Sequence, residues 1–308
     1  MKTLAIVVPC YNEEETIHLF LEACQAVEKQ ISNQLAFNYY FVNDGSKDKT
    51  LEVLRKVSKQ LENVHYISFS RNFGKEAGLL AGLEASEGDY VTVIDADLQD
   101  PPELLIEMYA KIQEGYDVVG TRRADRKGEP PIRSIFAKTF YWLINKVSDT
   151  EMVDGARDFR LMTRQVVDAI LELKEVNRFS KGLFSWVGFD VAYVSYENRE
   201  RVAGATSWSF WKLLNYSLDG FINFSEVPLK LATWAGTFSF LISLVGIVFV
   251  IIRKLTIGGS VAGWASLVSI ILFIGGIQLL ALGIIGHYIS KIFLETKKRP
   301  VYVIKEKG

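Results

Sequence analysis

An α/β domain with a mostly parallel sheet, followed by a surface-lying helix and a two-helix membrane hairpin, is the architecture this sequence predicts. Three observations carry it. Short apolar runs alternate with stretches of helical periodicity from the first residues to about Val119, the pattern of strand–helix–strand units. Two long uncharged segments, Leu231–Ile252 (22 residues) and Leu255–Ser290 (36 residues), lie towards the C-terminus, and a spanning helix needs about 20. Charge is also uneven: the net is −1 overall, but −7 over residues 1–230, +2 over 231–290 and +4 over 291–308. With 49% hydrophobic and 23% charged residues, both a disordered chain and a simple soluble protein are excluded.

The α/β elements follow in order. Leu4–Val8 reads as a strand, and Ile17, Phe20, Leu21, Cys24 and Val27 mark one face of the next helix. Tyr39–Val42 is the second strand, and Leu51, Leu54, Val57 and Leu61 give the second helix. Val64–Phe69 and Tyr90–Ile94 are strands on either side of a helix near Glu76–Ala85. Pro101-Pro102 can open a further helix, since proline is tolerated in a first turn, and Asp117–Val119 is another strand. Cys10 and Cys24 are too few for a disulfide framework and lack metal-ligand spacing, so they read as small buried hydrophobes. Lys2 and the run Leu4–Val8, stopped by Pro9, are too short for a signal-peptide core, and no export of this domain is expected.

In a parallel sheet, ligands bind beyond the carboxyl ends of the strands, and the polar residues concentrate there. The first strand runs into Pro9-Cys10-Tyr11-Asn12-Glu13-Glu14, the second into Asn43-Asp44-Gly45-Ser46, and a later one into Asp95-Ala96-Asp97-Leu98-Gln99-Asp100. Three acidic loops at one edge repel each other unless a cation or a donor-rich ligand joins them. Asp95 and Asp97 present two carboxylates on a short turn, suited to a hard divalent ion that also grips phosphate oxygens. Asp44 and Glu13 suit acceptance of hydrogen bonds from a base or ribose, with Tyr11 offering a ring face. Next come Arg122, Arg123, Arg126, Lys127, Arg133 and Lys138 against Asp125 and Glu129. Gly128, Pro130 and Pro131 make that stretch a loop. It reads either as a headgroup-binding surface or as an anion clamp over a phosphorylated ligand. Nucleic acid fits poorly, because the domain is net acidic.

The C-terminal third predicts spans at about 231–252 and 266–289, joined by a turn containing Gly258, Gly259 and Gly263. Trp234, Trp264 and Tyr288 sit near the span ends, where amphipathic aromatics favour the headgroup layer. Ala235, Ser239 and Ser243 form a small-residue stripe open to helix packing. Two basic residues flank the connecting turn and six lie in the tail 291–308, a bias that puts the tail and the N-terminal domain in the cytoplasm. Before the first span, Trp211, Leu214, Leu218 and Phe221 follow helical spacing, as an interfacial helix would; a core-facing helix is the alternative.

Several motifs match together: Val7-Val8-Pro9-Cys10-Tyr11-Asn12-Glu13-Glu14, Asn43-Asp44-Gly45-Ser46, Arg71-Asn72-Phe73-Gly74-Lys75-Glu76 and Asp95-Ala96-Asp97-Leu98-Gln99-Asp100-Pro101-Pro102. So do Asp158-Phe159-Arg160-Leu161, Arg178-Phe179 and Arg201-Val202-Ala203-Gly204. Over nearly its whole length the chain resembles family 2 glycosyltransferases with the Rossmann-like GT-A fold. The particular likeness is to the polyprenyl-phosphate sugar transferases, which include bactoprenol glucosyltransferases and dolichol-phosphate mannose synthases. The resemblance implies a GT-A domain over 1–205, interfacial helices over 206–230, the two spans within 231–290 and a basic cytoplasmic tail at 291–308, all at the inner (cell) membrane.

It also implies site roles. Pro9, Tyr11, Glu13 and Asp44 hold the nucleoside; Asp95 and Ala96 line the nucleotide site; Asp97 and Gln99, with Asp95, bind Mg²⁺ or Mn²⁺. Arg122, Arg133 and Arg201 meet the donor diphosphate or the acceptor phosphate. Asp158 falls in the family's base position, with Asp154 a nearby rival and an ion pair to Arg157 or Arg160 the structural alternative. Many relatives carry Lys where Ser207 stands, and the Thr206-Ser207-Trp208 version resembles the bactoprenol glucosyltransferases, favouring UDP-glucose over GDP-mannose as donor. The implied reaction is inverting transfer of the sugar to a polyprenyl phosphate by a homo-oligomer, with tetramers known among relatives. A membrane-anchored transferase acting on a glycan and a non-enzymatic flippase subunit or scaffold are the competing classes.

Overall fold

The computed structural model describes residues 1–123, 145–146, 153, 155–197, 225–256 and 263–308. The chain divides into two compact units, one of Met1–Gly220 with Arg299–Gly308 and one of Phe221–Lys298.

The first unit is built on an eight-stranded sheet. Its strands are β1 (Lys2–Cys10), β2 (Leu35–Asn43), β3 (Val64–Phe69), β4 (Tyr90–Val93), β5 (Val118–Arg123), β6 (Ala156–Thr163), β7 (Val191–Tyr196) and β8 (Ile304–Lys307), in the spatial order β7-β5-β6-β4-β1-β2-β3-β8. Neighbours pair in parallel except where β6 runs against β4 and β5, and β8 against β3. The mostly parallel α/β expectation is met.

Helices α1 (Ile17–Ile31), α2 (Thr50–Gln60), α3 (Lys75–Ala85), α4 (Leu104–Gln113), α5 (Arg164–Glu172) and α6 (Ser180–Trp186) belong to the same unit. The apolar face anticipated for α1 is buried at all five positions, joined by Ile31. One large core packs α1, α2 and α4 against the sheet through Phe20, Cys24, Tyr39 and Met108; a second gathers Leu79, Leu83, Val166 and Phe184 of α3, α5 and α6. Burial raises both cysteine thiols well above their ordinary range, so neither is a ready nucleophile. α3 approaches β1 so closely that a Cβ on Gly82 would stand 2.2 Å from Val7 Cγ1. Pro101 and Pro102 immediately precede the first turn of α4 and lend it their carbonyls, which accept from the Leu104 and Leu105 amides.

Three strands have no counterpart among the expected elements: β6, β7, which pairs in parallel with β5 at one end of the sheet, and β8. β6 enters the sheet antiparallel between β4 and β5, and β8 comes from the tail after the second apolar segment. The tail therefore ends inside the α/β unit.

The second unit contains α7 (Val227–Thr256) and α8 (Trp264–Lys297), packed on each other. The stretches Val227–Arg253 and Ser269–Lys297, with mean hydropathy 2.5 and 2.3, are long and apolar enough to cross a membrane, and none of either apolar window is buried. Leu231, Phe238, Phe249, Leu272, Phe273 and Leu279 each expose more than half of their surface, which is not how a core helix of a soluble domain sits. Within the unit, Tyr288 donates from its hydroxyl to the Ser225 carbonyl at 2.6 Å. The expected interfacial stripe of Trp211, Leu214, Leu218 and Phe221 lies outside the described residues.

Candidate active site

The site is assembled at the carboxyl ends of β1, β2 and β4. Register alone brings Cys10, Asn43 and Ser68 side by side there, with the turns that follow them in one row. The turns after β1 and β2 are stitched reciprocally. The Asn12 amide donates to Ser46 Oγ (2.9 Å) and the Lys47 amide returns a bond to Asn12 Oδ1 (2.8 Å). The Glu13 amide donates to Thr50 Oγ1 (2.8 Å), and the Lys49 amide to Glu14 Oε2 (2.8 Å). Glu13 itself accepts from Thr16 Oγ1 at 2.8 Å just before α1. Pro9 is the penultimate residue of β1, opposite Val42, and Tyr11 stands exposed in the turn.

Asp44 is buried, and its two oxygens accept the backbone amides of Phe73 (2.6 Å) and Gly74 (2.9 Å). Burial raises its carboxyl above the usual value while those two amides oppose the rise. Both oxygens are thus engaged by the chain, each with a second lone pair for a ligand. Gly45 makes this junction possible. Its φ is +62°, and a Cβ there would lie 2.3 Å from the Arg71 carbonyl carbon, so only glycine fits.

The turn after β4 holds Asp95, Ala96, Asp97 and Gln99. Ala96 and Asp97 are buried. Leu98 adopts a left-handed φ of +56°, and Asp97 Oδ1 accepts the Gln99 amide at 3.1 Å. Asp100 anchors the end of the turn. Nearly fully buried, it accepts from the Tyr196 hydroxyl of β7 and from Arg157 Nε of β6 at 3.2 Å. Burial first, and then the Asp100 charge, push the Tyr196 phenol up to about 12.

Asp158 reaches the site through β6. Val93 of β4 lies opposite Arg160, so continuing that antiparallel register two residues further sets Asp158 opposite Asp95. A lysine joins them. Lys75, the first residue of α3, places Nζ 2.8 Å from Asp95 Oδ1 and 2.7 Å from Asp158 Oδ2. Burial works against the charges of this cluster, but the ion pairs prevail. Lys75 is held above its ordinary range by Asp158 and Asp95, and Asp158 well below its own by Lys75, Lys181 and Arg160.

The sequence offered Arg157 or Arg160 as the ion-pair partner of Asp158; Lys75 is a partner at pairing distance, with the two arginines close by. Arg157 pairs with Asp100, and Arg160 lies over the Phe184 ring at 3.8 Å while donating to the carbonyls of Arg157 (3.0 Å) and Asp158 (3.4 Å). Lys75 and Lys181 were not singled out as site residues from the sequence. Lys75 lies in the motif Arg71–Glu76, and the three acidic loops expected at one sheet edge are the signal that a cation has to be found for them.

Arg122, near the end of β5, is opposite Ala156, two residues before Asp158 on β6. Arg133, Arg201 and the rival Asp154 lie outside the described residues, as do Arg126, Lys127 and Lys138.

The donor set fits a hard divalent ion. Asp95, Asp97 and the Gln99 amide offer oxygens, and the strand ends already hold one cation, the Lys75 ammonium. Among the described residues no three His, Cys, Asp or Glu side chains are gathered as a ready cage.

Residues 5–171, more than half the chain and every one of these turns, match the family model described as glycosyl transferase family 2. The chain belongs to this family. It is a family 2 glycosyltransferase, and curated relatives extend the likeness through both apolar helices. A protein of Bacillus subtilis named as a glycosyltransferase is 47% identical over 303 residues, covering 98% of this chain and 91% of that protein. An uncharacterised glycosyltransferase of Synechocystis is 43% identical over 98% of this chain and 95% of its own. The bactoprenol glucosyl transferase of Shigella phage SfX is 41% identical over 304 residues, 99% of either chain.

Proposed function

We propose that this glycosyltransferase moves glucose from UDP-glucose to the phosphate of a polyprenyl phosphate at the cytoplasmic face of a membrane, inverting the anomeric carbon. The observation that carries the reading is the full-length identity to a bactoprenol glucosyl transferase, which includes the two apolar helices as well as the catalytic turns. A polyprenyl chain stays in the bilayer, so its transferase has to be held against the headgroups; α7 and α8 supply suitable helices. The chain leaves the α/β unit after Gly220 and rejoins it at Arg299, which supports an even number of crossings with the catalytic unit and C-terminus on one side.

In the reaction an acceptor phosphate oxygen forms a bond to the sugar's anomeric carbon as the bond from that carbon to the nucleotide diphosphate breaks. A phosphate monoester has a second pKa of about 6, so the nucleophile is already anionic near neutral pH and needs no strong base. The depressed carboxyl of Asp158 accords with that: it is a poor proton acceptor, and its role is to orient the acceptor and to hold Lys75. Lys75, Lys181 and Arg122 supply positive charge for the two phosphate groups. Pro9, Tyr11, Glu13 and Asp44 hold the nucleoside. A divalent ion, Mg²⁺ or Mn²⁺, held by Asp97 and Gln99 with Asp95, would offset charge growing on the departing diphosphate.

The test is transfer by the purified full chain to undecaprenyl phosphate, with labelled UDP-glucose and GDP-mannose compared with and without Mg²⁺. Metal-dependent glucolipid with the inverted configuration is expected. Mannolipid instead would replace the donor, a retained configuration would exclude direct displacement, and no glycolipid from these two or from a wider panel of nucleotide sugars would overturn the acceptor assignment.

A further inference from the structure

The last ten residues, Arg299–Gly308, belong to the catalytic unit, and they grip it just before the turn that builds the active site. β8 pairs with β3 at Ile67, Ser68 and Phe69. Backbone bonds extend the ladder at both ends: Tyr66 and Gly308 exchange amide and carbonyl bonds (2.7 and 3.0 Å), and the Ser70 amide donates to the Val303 carbonyl at 3.0 Å. Glu306 accepts two bonds from Arg55 of α2, at 2.7 and 2.5 Å, and a third from the Tyr66 hydroxyl at 3.1 Å.

On the other face, Val301 and Tyr302 close a small cluster of Val42, Ile67, Phe69, Ala77 and Ala81. The Tyr302 ring stacks on Phe69 at 4.9 Å, and its hydroxyl donates to Glu84 of α3. Phe69 in turn meets Phe73 edge-on at 5.8 Å. The tail therefore holds the start of the segment from Ser70 to Lys75 directly and reaches α3, which the segment leads into, at Ala77, Ala81 and Glu84. That segment carries the Phe73 and Gly74 amides to Asp44 and the Lys75 ammonium to Asp95 and Asp158.

We propose that the C-terminal strand is a positioning element of the active site, with Tyr302 the positioning residue that sets the Ser70–Lys75 turn through its stack on Phe69. A strand serving merely to cover the open edge of β3 would add stability without touching catalysis. Here the same contacts act on the turn that fixes Asp44 and Lys75, so loosening them lets those groups drift. Catalysis is sensitive to displacements of about 1 Å. The activity part of the inference rests on the function proposed above; the geometric part does not.

The experiment compares full-length wild type, Tyr302→Ala and Tyr302→Phe in detergent by three readouts. These are amide hydrogen exchange in the 70–76 segment, thermal midpoint, and kcat with saturating UDP-glucose, undecaprenyl phosphate and Mg²⁺. Tyr302→Ala is expected to speed exchange of the Phe73 and Gly74 amides and to lower kcat about 10-fold, whereas Tyr302→Phe, keeping the ring, stays near wild type. Unchanged exchange in that segment overturns the inference, as does faster exchange with unaltered kcat, the result of a purely stabilising strand. Should Tyr302→Ala not fold, the same readouts on Arg55→Glu, Glu306→Arg and the double reversal replace it: the singles lose kcat and the double recovers it, or the inference fails. If wild type itself transfers no glucose, the function reading has failed, and exchange in the 70–76 segment alone decides the geometric claim.

Discussion

Replacing Lys75 by methionine keeps most of the length of the side chain and removes the charge that Asp95 and Asp158 share. Each carboxylate lies within one hydrogen bond of Nζ, 2.8 and 2.7 Å, so the two are left roughly 5 Å apart. At an effective dielectric of about 20, two like charges at that distance repel by about 3 kcal/mol. Their side chains are 27% and 23% exposed, and solvent screening reduces the figure to about 1–2 kcal/mol, about one pKa unit. The Lys75 share of the attraction that holds the Asp158 carboxyl below its ordinary value of 3.8 disappears as well, while the charges of Lys181 and Arg160 remain. In Lys75→Met the Asp158 pKa is therefore expected to rise into the usual carboxylate range. The assay is infrared difference spectroscopy of the carboxylic-acid carbonyl band between pH 7 and pH 4. An acid band is expected in Lys75→Met that is absent from wild type and from Lys75→Met with Asp158→Asn. With the cation gone and the acceptor less well held, kcat at pH 7 should fall at least about 10-fold. The reasoning is refuted if the folded variant shows no Asp158-dependent acid band, or if it turns over at the wild-type rate.

The same pair sets a pH window. The depressed Asp158 contributes stability above its ordinary value of 3.8 that is lost only as pH falls through its lower folded value, and the raised Lys75 contributes below 10.5 and loses it as pH rises through its higher one. The stability difference between wild type and Lys75→Met should accordingly stay flat from about pH 5 to pH 9 in denaturant titrations; a steep slope there would contradict it. Asp158→Asn should lower turnover about equally at pH 6.5 and pH 8.5, because the acceptor needs no base; recovery at the higher pH would instead make Asp158 a proton acceptor. Gly45→Ala has to move the Arg71 backbone out of a 2.3 Å clash while holding φ at +62°, so a loss of at least about 2 kcal/mol is expected, read as a lower thermal midpoint. Asp100→Ala leaves the part-buried Arg157 and the Tyr196 hydroxyl without their shared acceptor, costing about 1–3 kcal/mol, and a near-native midpoint would show that the 95–100 turn is anchored elsewhere.

What the sequence determined by itself was whatever is written locally. The alternation of apolar runs and helical faces led to β1 to β4 and α1 to α4 within a few residues, because burial on one side leaves a repeating mark. The turns after β1, β2 and β4 were legible for the same reason: Pro9–Glu14, Asn43–Ser46 and Asp95–Asp100 interrupt apolar strands with charge, and parallel topology sends all three to one edge. Two apolar segments with hardly a charge announced α7 and α8.

Pairings between distant segments were decided only by the tertiary structure. Asp158 meets Asp95 because β6 inserts antiparallel beside β4 in one register, and a one-residue slip would turn it to the opposite face. Nothing near residue 158 records that register. Lys75 becomes their shared cation because Asp44 holds the turn before it, from a strand 30 residues earlier. β8 is four residues long, three of them charged, with no periodicity to betray a strand. It is a strand because β3 offers an unpaired edge, and Arg55, Phe69 and Glu84 stand where Glu306 and Tyr302 arrive. Periodicity reports which side of an element is buried; it carries no information on which distant element does the burying.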